Sequence, residues 1–122
     1  PRMAYGYARL RDRFQFSIPT YDTVGASSLL TTVEDMAKWD ANFYSGKVGG
    51  AKFNETMLSE FTLNNGRQIP YRFGQTVGEY RGLKLVEHGG ADAGYRSGYS
   101  RFPEQKFSVI TLCNTIVNPV QR

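Results

Sequence analysis

From Tyr71 to Cys113 the chain reads as short alternating apolar segments parted by glycine- and proline-bearing turns, the pattern of an antiparallel sheet. Tyr71, Phe73 and Val77 alternate through residues 71–77, and Gly78-Glu79 is the turn expected after them. Leu83 and Leu85 lie on one side of residues 80–87, with Val86 on the other. Ser97 to Phe102 reads as a strand and Pro103 to Lys106 as a hairpin connection. Residues 107–113 are apolar on both faces, which predicts a central strand covered on each side. Between these strands lies His88-Gly-Gly-Ala-Asp-Ala-Gly-Tyr-Arg-Ser97, which holds the only histidine. It reads as a strand end followed by a glycine loop, one titratable side chain beside backbone that a ligand can approach closely.

The N-terminal half carries the helices. Residues 3–18 predict a hairpin, with Met3, Tyr5 and Tyr7 alternating in one arm, Phe14, Phe16 and Ile18 in the other, and Arg11-Asp12 as the turn. Pro19 ends the second arm, and residues 20–31 form a loop pivoting at Gly25. Thr32 is a good N-cap with Asp35 three residues on, so a helix is predicted over 33–45 with Gly46 closing it. Val33, Met36, Ala37, Phe43 and Tyr44 share its apolar face, with Trp39 at the margin, and are read as core. Residues 46–53 read as a connector, and Asn54 as the cap of a helix over about 55–62, with Met57, Leu58 and Phe61 inward. Asn64-Asn65-Gly66 is a turn and Pro70 closes the connector. Pro119 could open a further helix. The expected class is α+β: an antiparallel sheet with packed helices.

Bulk properties exclude several functions. A chain of 122 residues, 40% hydrophobic and 21% charged, suits one domain, and eight Phe, eight Tyr and one Trp favour sheet structure. The net charge of +4 is scattered apart from Arg9, Arg11 and Arg13, and no basic run with interleaved aromatics points to nucleic acid. Cys113 is alone, so no internal disulfide forms, and its apolar strand reads as a buried inert thiol. No stretch approaches the length of a membrane span, and no signal-peptide pattern is visible. The chain begins at Pro1, which suggests a processed or truncated piece. Localisation stays open.

The chemical motifs are sparse. His88 has no second His or Cys partner, so neither a metal nor a cofactor is expected. No GxSxG elbow, phosphate-binding GxxxxGK[ST] or dinucleotide fingerprint occurs. Ser27-Ser28 has Leu30 and Thr31 three residues on, where a serine–lysine pair would need Lys. Read alone, His88 can be a turn residue or a functional one.

Two segments change that balance. Gly25-Ala-Ser-Ser-Leu-Leu-Thr-Thr-Val-Glu-Asp-Met-Ala-Lys-Trp39 is the first. Glu87-His-Gly-Gly-Ala-Asp-Ala-Gly-Tyr-Arg-Ser97, followed by Arg101-Phe-Pro-Glu-Gln105 and Val109-Ile-Thr-Leu-Cys-Asn114, is the second. In this order they resemble the serine β-lactamase-related family: class C β-lactamases, penicillin-binding DD-peptidases, D-aminopeptidases and esterases of the same fold. The resemblance implies a partial β-lactamase/transpeptidase-like domain over residues 1–122, from the C-terminal half, with three of the family's five sheet strands. His88-Gly89-Gly90 falls on the family's Lys/His-x-Gly motif. His88 would supply pocket electrostatics, Gly89 and Gly90 substrate clearance, and the Ala91 N–H one oxyanion donor. The implied substrate is a small ester, amide or peptide running antiparallel along this edge, and His in place of Lys favours an esterase or peptidase. The family's Ser-x-x-Lys does not occur here, and Tyr21-Asp-Thr23 does not match its Tyr-x-Asn/Ser. The chain alone is therefore expected to be inactive, and to self-associate or bind a complementary fragment. A non-catalytic module holding a peptide or glycan is the alternative. The resemblance also implies a periplasmic or extracellular setting for the parent protein.

Overall fold

A computed structural model describes residues 3–20 and 23–116. The loop around Tyr21 and the helix expected at Pro119 lie wholly or partly outside the described residues. The N-terminal hairpin forms as its alternation predicts. β1 (Tyr7–Leu10) pairs antiparallel with β2 (Arg13–Phe16), and Arg11 turns the chain at φ +57°. Tyr7 and Phe16 are directly opposed, their rings 5.3 Å apart, and Tyr5 meets Phe16 edge-on at 5.5 Å.

Helix α1 (Val33–Ser45) has the predicted bounds, because both caps form. The Asp35 N–H donates to Thr32 Oγ1 at 3.1 Å, and Gly46, left-handed at φ +62°, donates its N–H to the Asn42 carbonyl at 2.8 Å. Its apolar face is covered only in part. Met36 and Phe43 are half-buried, whereas Val33 and Tyr44 stay exposed and the one buried residue is Asn42. Asn42 clamps the following turn through both amide atoms, accepting from Val48 N at 2.7 Å and donating to Val48 O at 3.1 Å.

Helix α2 spans Gly50–Met57, earlier than the expected 55–62. Gly49, at φ +79°, opens it. Phe53 of this helix meets the Trp39 ring edge-on at 6.1 Å. Asn54 is not a cap: it lies inside α2 and donates to the Phe43 carbonyl at 2.9 Å, tying the two helices together. Met57 and Leu58 are half-buried, but Phe61 is exposed on β3 (Phe61–Thr62), which pairs with β4 (Gln68–Ile69) across the predicted Asn64–Gly66 turn.

The remaining strands form one antiparallel sheet in the order β5 (Tyr71–Arg72), β6 (Gln75–Tyr80), β7 (Leu83–Asp92), β8 (Tyr95–Phe102), β9 (Phe107–Cys113). Three expectations are corrected here. Residues 71–77 break at Phe73–Gly74, and the next turn is Arg81–Gly82 rather than Gly78-Glu79. Both observed turns take positive φ at two successive residues, as tight hairpins require, and Gly78 stays within β6. His88-Gly89-Gly90 is not a loop but the continuation of β7, and the chain reverses only at Ala93–Gly94. Residues 107–113 form an edge of this sheet, not its centre, and three of the seven, Phe107, Val109 and Leu112, are exposed.

α1 lies over β8 and β9 on one face of the sheet. Asp40 accepts from Tyr99 Oη at 2.5 Å and from Ser108 Oγ at 2.8 Å. Phe43 lies 3.7 Å above the Arg101 guanidinium. Beneath it, Val86 and Arg101 are paired across β7 and β8 and are 1% and 2% exposed. Val86 is the single fully buried apolar side chain among the described residues. The whole exposes 9379 Å², where a compact monomer of this mass would expose roughly 6,600 Å². Much apolar surface is therefore left uncovered.

The first hairpin docks on one end of the sheet. Tyr7 N–H donates to Asn114 O at 2.9 Å, Gly94 N–H to Ser17 O at 3.0 Å, and Tyr95 Oη to Ala4 O at 3.0 Å. Gly94 makes this approach feasible, since a Cβ there would sit 2.4 Å from Tyr7 N and 2.5 Å from Gly6 C. Gly94→Ala is therefore expected to cost about 1–3 kcal/mol by overpacking. Amide exchange should accelerate at Tyr7 and Gly94 before it does in the β7–β8 ladder. An unchanged melting temperature would show that docking does not depend on this contact.

Candidate functional site

The site is built from a mismatch in strand length. β7 has ten residues, but β6 pairs only with its first half, from Tyr80↔Leu83 to Thr76↔Glu87. β8 pairs with the second half, from Val86↔Arg101 to Asp92↔Tyr95. Beyond Glu87, no described strand covers the other edge of β7.

The direction of the backbone groups on that edge follows from the turns. Tyr80 and Leu83 close a two-residue hairpin and so exchange hydrogen bonds, and bonding groups alternate sides along an antiparallel strand. Leu83, Leu85 and Glu87 therefore address β6. By the same alternation Gly89 and Ala91 direct their N–H and C=O groups outward, while His88 and Gly90 address β8. All four residues are exposed. The edge presents backbone with no side chain at Gly89 and only a methyl at Ala91, so an extended chain can approach it.

His88 stands at the start of this open edge. Its Nε2 is 3.1 Å from Tyr71 Oη, with the rings 5.9 Å apart. Directly across β8 is Tyr99, which donates to Asp40 of α1. Burial first, and then the hydrogen bond to anionic Asp40, push the Tyr99 hydroxyl pKa far up. Tyr99 is thus a fixed neutral donor that anchors α1 to the sheet, not a base. Gly90 faces Ser97, and a Cβ at Gly90 would lie 2.3 Å from Ser97 Oγ. The clearance expected there for a substrate is thus shared with a neighbouring hydroxyl.

His88, Gly89, Gly90 and Ala91 are brought together on one strand. Tyr71, Asp40, Tyr99 and Ser108 join the neighbourhood without having been singled out by the sequence. Tyr71 reads only as one member of an alternation, because its contact with His88 appears once the β5–β6–β7 order is known. Asp40 left a faint signal, a carboxylate spaced between Met36 and Phe43 on the half-buried face of α1. A shallow hollow lined by Leu10, Arg11, Asp12 and Arg13 sits at the tip of the first hairpin and includes none of the edge residues. Among the described residues, no group of three or more His, Cys, Asp or Glu could hold a metal ion, and no helix is long and apolar enough to cross a membrane. No protein-family model matches the chain, and no curated protein matches it significantly.

Two outcomes follow from this geometry. Gly90→Ala is expected to cost under about 1 kcal/mol, because the Ser97 hydroxyl can rotate away, and Gly90→Ala with Ser97→Ala should recover the loss. A larger loss that persists in the double variant would place the constraint in the backbone. The Tyr99 effect is read in alkali. Its folded pKa is raised, so above the ordinary tyrosine value of about 10 the unfolded chain loses a proton that the folded chain keeps. Stability should fall as pH rises past that point, and urea titrations of Tyr99→Phe should show a shallower alkaline decline.

Proposed function

We propose that this chain is one wall of a serine hydrolase of the β-lactamase-related type, taken from the C-terminal half of its catalytic domain. The observation that carries the reading is the uncovered half of β7, with His88 at its start and the Ala91 backbone turned outward. An ester, amide or peptide substrate would pair with this edge as an added antiparallel strand. The Ala91 N–H would be one of two donors to the tetrahedral oxyanion, and losing one such donor costs about 10²–10³ in rate. His88 would organise charge around the substrate carbonyl or carboxylate. Gly89 and Gly90 keep the approach free of side chains.

The nucleophile and its base belong to the Ser-x-x-Lys and Tyr-x-Asn/Ser elements of that family; the first does not occur in these 122 residues, and the one match to the second, Tyr95-Arg-Ser97, lies on β8 beside the glycine turn with its hydroxyl donating to Ala4 O at 3.0 Å. A hydrolase lacking its nucleophile loses nearly all of its rate enhancement. The isolated chain is therefore expected to hydrolyse neither a β-lactam nor a p-nitrophenyl ester faster than a heat-killed control. Turnover above that control would overturn the assignment of the missing groups.

The missing Ser-x-x-Lys favours a second reading, a non-catalytic module that uses the edge only to hold a peptide or glycan. The coding sequence upstream separates the two, since Ser-x-x-Lys and Tyr-x-Asn/Ser there would select the enzyme. Under either reading the exposed apolar side chains, Phe16, Leu29, Leu30 and Phe107 among them, are surface that another polypeptide covers. Size-exclusion chromatography should show self-association or capture of a complementary fragment, and a clean monomer would contradict this.

A further inference from the structure

We infer that Tyr71 is a positioning residue for His88, donating its hydroxyl proton to Nε2 and holding the neutral imidazole as the Nδ1–H tautomer. The inference rests on reading His88 as the residue that organises charge at the hydrolytic edge, but the tautomer is a property of this chain by itself. The two groups are 3.1 Å apart, within ordinary hydrogen-bond range. A neutral imidazole has one N–H and one lone pair, and the partner of one nitrogen decides which form is present. Of the two ways to arrange the proton, phenol to imidazole is the stronger. The phenol O–H is the more acidic donor and the imidazole nitrogen the more basic acceptor.

Tyr71 can do this because β5 is clamped from three directions. Tyr71 pairs with Thr76 across the Phe73–Gly74 turn, and both turn residues have positive φ. Val77 N–H donates to Pro70 O at 2.9 Å. Arg72 reaches back to Leu58 O at 2.7 Å, just beyond α2. The side chain that points at His88 is therefore carried on fixed backbone. Tyr71 is followed by Arg72 and Phe73, so it stands outside the Tyr-x-Asn/Ser pattern and adds a tyrosine with a different task. With Nε2 occupied, the ring keeps only Nδ1–H for a ligand. His88 then acts on substrate as a hydrogen-bond donor even when uncharged, and not as a base.

The chain has one histidine, so a long-range ¹H–¹⁵N correlation spectrum contains one imidazole and needs no assignment. The spectrum is recorded under conditions where the ¹⁵N shifts report the neutral ring. The wild type is expected to show Nδ1 protonated and Nε2 bare. Tyr71→Phe should move the tautomer ratio about five-fold toward Nε2–H, as expected for a net hydrogen bond of about 1 kcal/mol. Tyr99→Phe, which changes the residue directly opposite His88 but not its bonded partner, should leave the ratio alone. Nε2 protonated in the wild type would overturn the inference, as would an unchanged ratio in Tyr71→Phe. Should Tyr71→Phe fail to fold, the wild-type spectrum still decides. None of these outcomes depends on turnover, so the hydrolase reading can fail while this one stands, and the reverse.

Discussion

The pairing of β7 with β8 is the constraint on which the rest depends. It runs from Val86↔Arg101 to Asp92↔Tyr95 and fixes the two most buried side chains opposite each other. The turn that closes it, Ala93–Gly94, is also the platform for the first hairpin. Its register places Tyr99 beside His88 and under Asp40, so the same ladder positions α1. A slip of one residue would turn Arg101 and Tyr99 away from α1 and expose both, which makes this register strongly specified. The open half of β7 is a by-product of that specification: β8 pairs with the strand from Val86 to Asp92, while pairing with β6 stops at Thr76↔Glu87.

The centre beneath α1 is unusually polar for so small a core. Arg101 is 2% exposed, has no carboxylate within salt-bridge distance among the described residues, and bonds Gln75 only at 3.5 Å. A buried cation without compensation is costly. Here the Phe43 ring at 3.7 Å supplies a desolvated cation–π contact, of about 2 kcal/mol. Asp40 supplies negative charge nearby, since it raises the Tyr99 and Tyr44 pKa values while Arg101 lowers them. Arg101 and Asp40 thus act on the same two tyrosines with opposite sign. α1 is held by polar and aromatic contacts more than by an apolar stripe, which explains why Val33 and Tyr44 remain exposed.

What was legible in the sequence is what local chemistry decides. The caps of α1, the Arg11-Asp12 hairpin and the Asn64–Gly66 turn each depend on residues within a few positions, and each formed as read. What misled was glycine. Gly78, Gly89 and Gly90 read as turns, yet all three lie in strands, because the sheet has a use for missing side chains that local propensity cannot express. The chain turns instead at Phe73, Arg81 and Ala93, three non-glycine residues that accept positive φ beside a following glycine. The glycine loop was thus located but not given its geometry. Its strand character, the outward Ala91 amide and the Tyr71 contact all need the strand order, which pairs residues 17 apart for Tyr71 and His88.

Two of the sheet's uncovered edges differ in what they can accept. β9 presents Phe107–Cys113, seven residues without a charge or a proline, and Phe107, Val109 and Leu112 are exposed. Such an edge pairs readily with any extended chain, and nothing in its own sequence blunts it. It therefore calls for permanent cover by polypeptide. The edge at His88–Asp92 is shorter, begins at an imidazole, ends at a carboxylate, and is nearly bare of side chains between them. Only two residues there, Gly89 and Ala91, offer outward backbone groups, too few to hold a strand permanently but enough to align a short extended ligand with one amide against its carbonyl. That difference in length and side-chain cover separates a long apolar edge from a short one that an extended ligand can reach and leave.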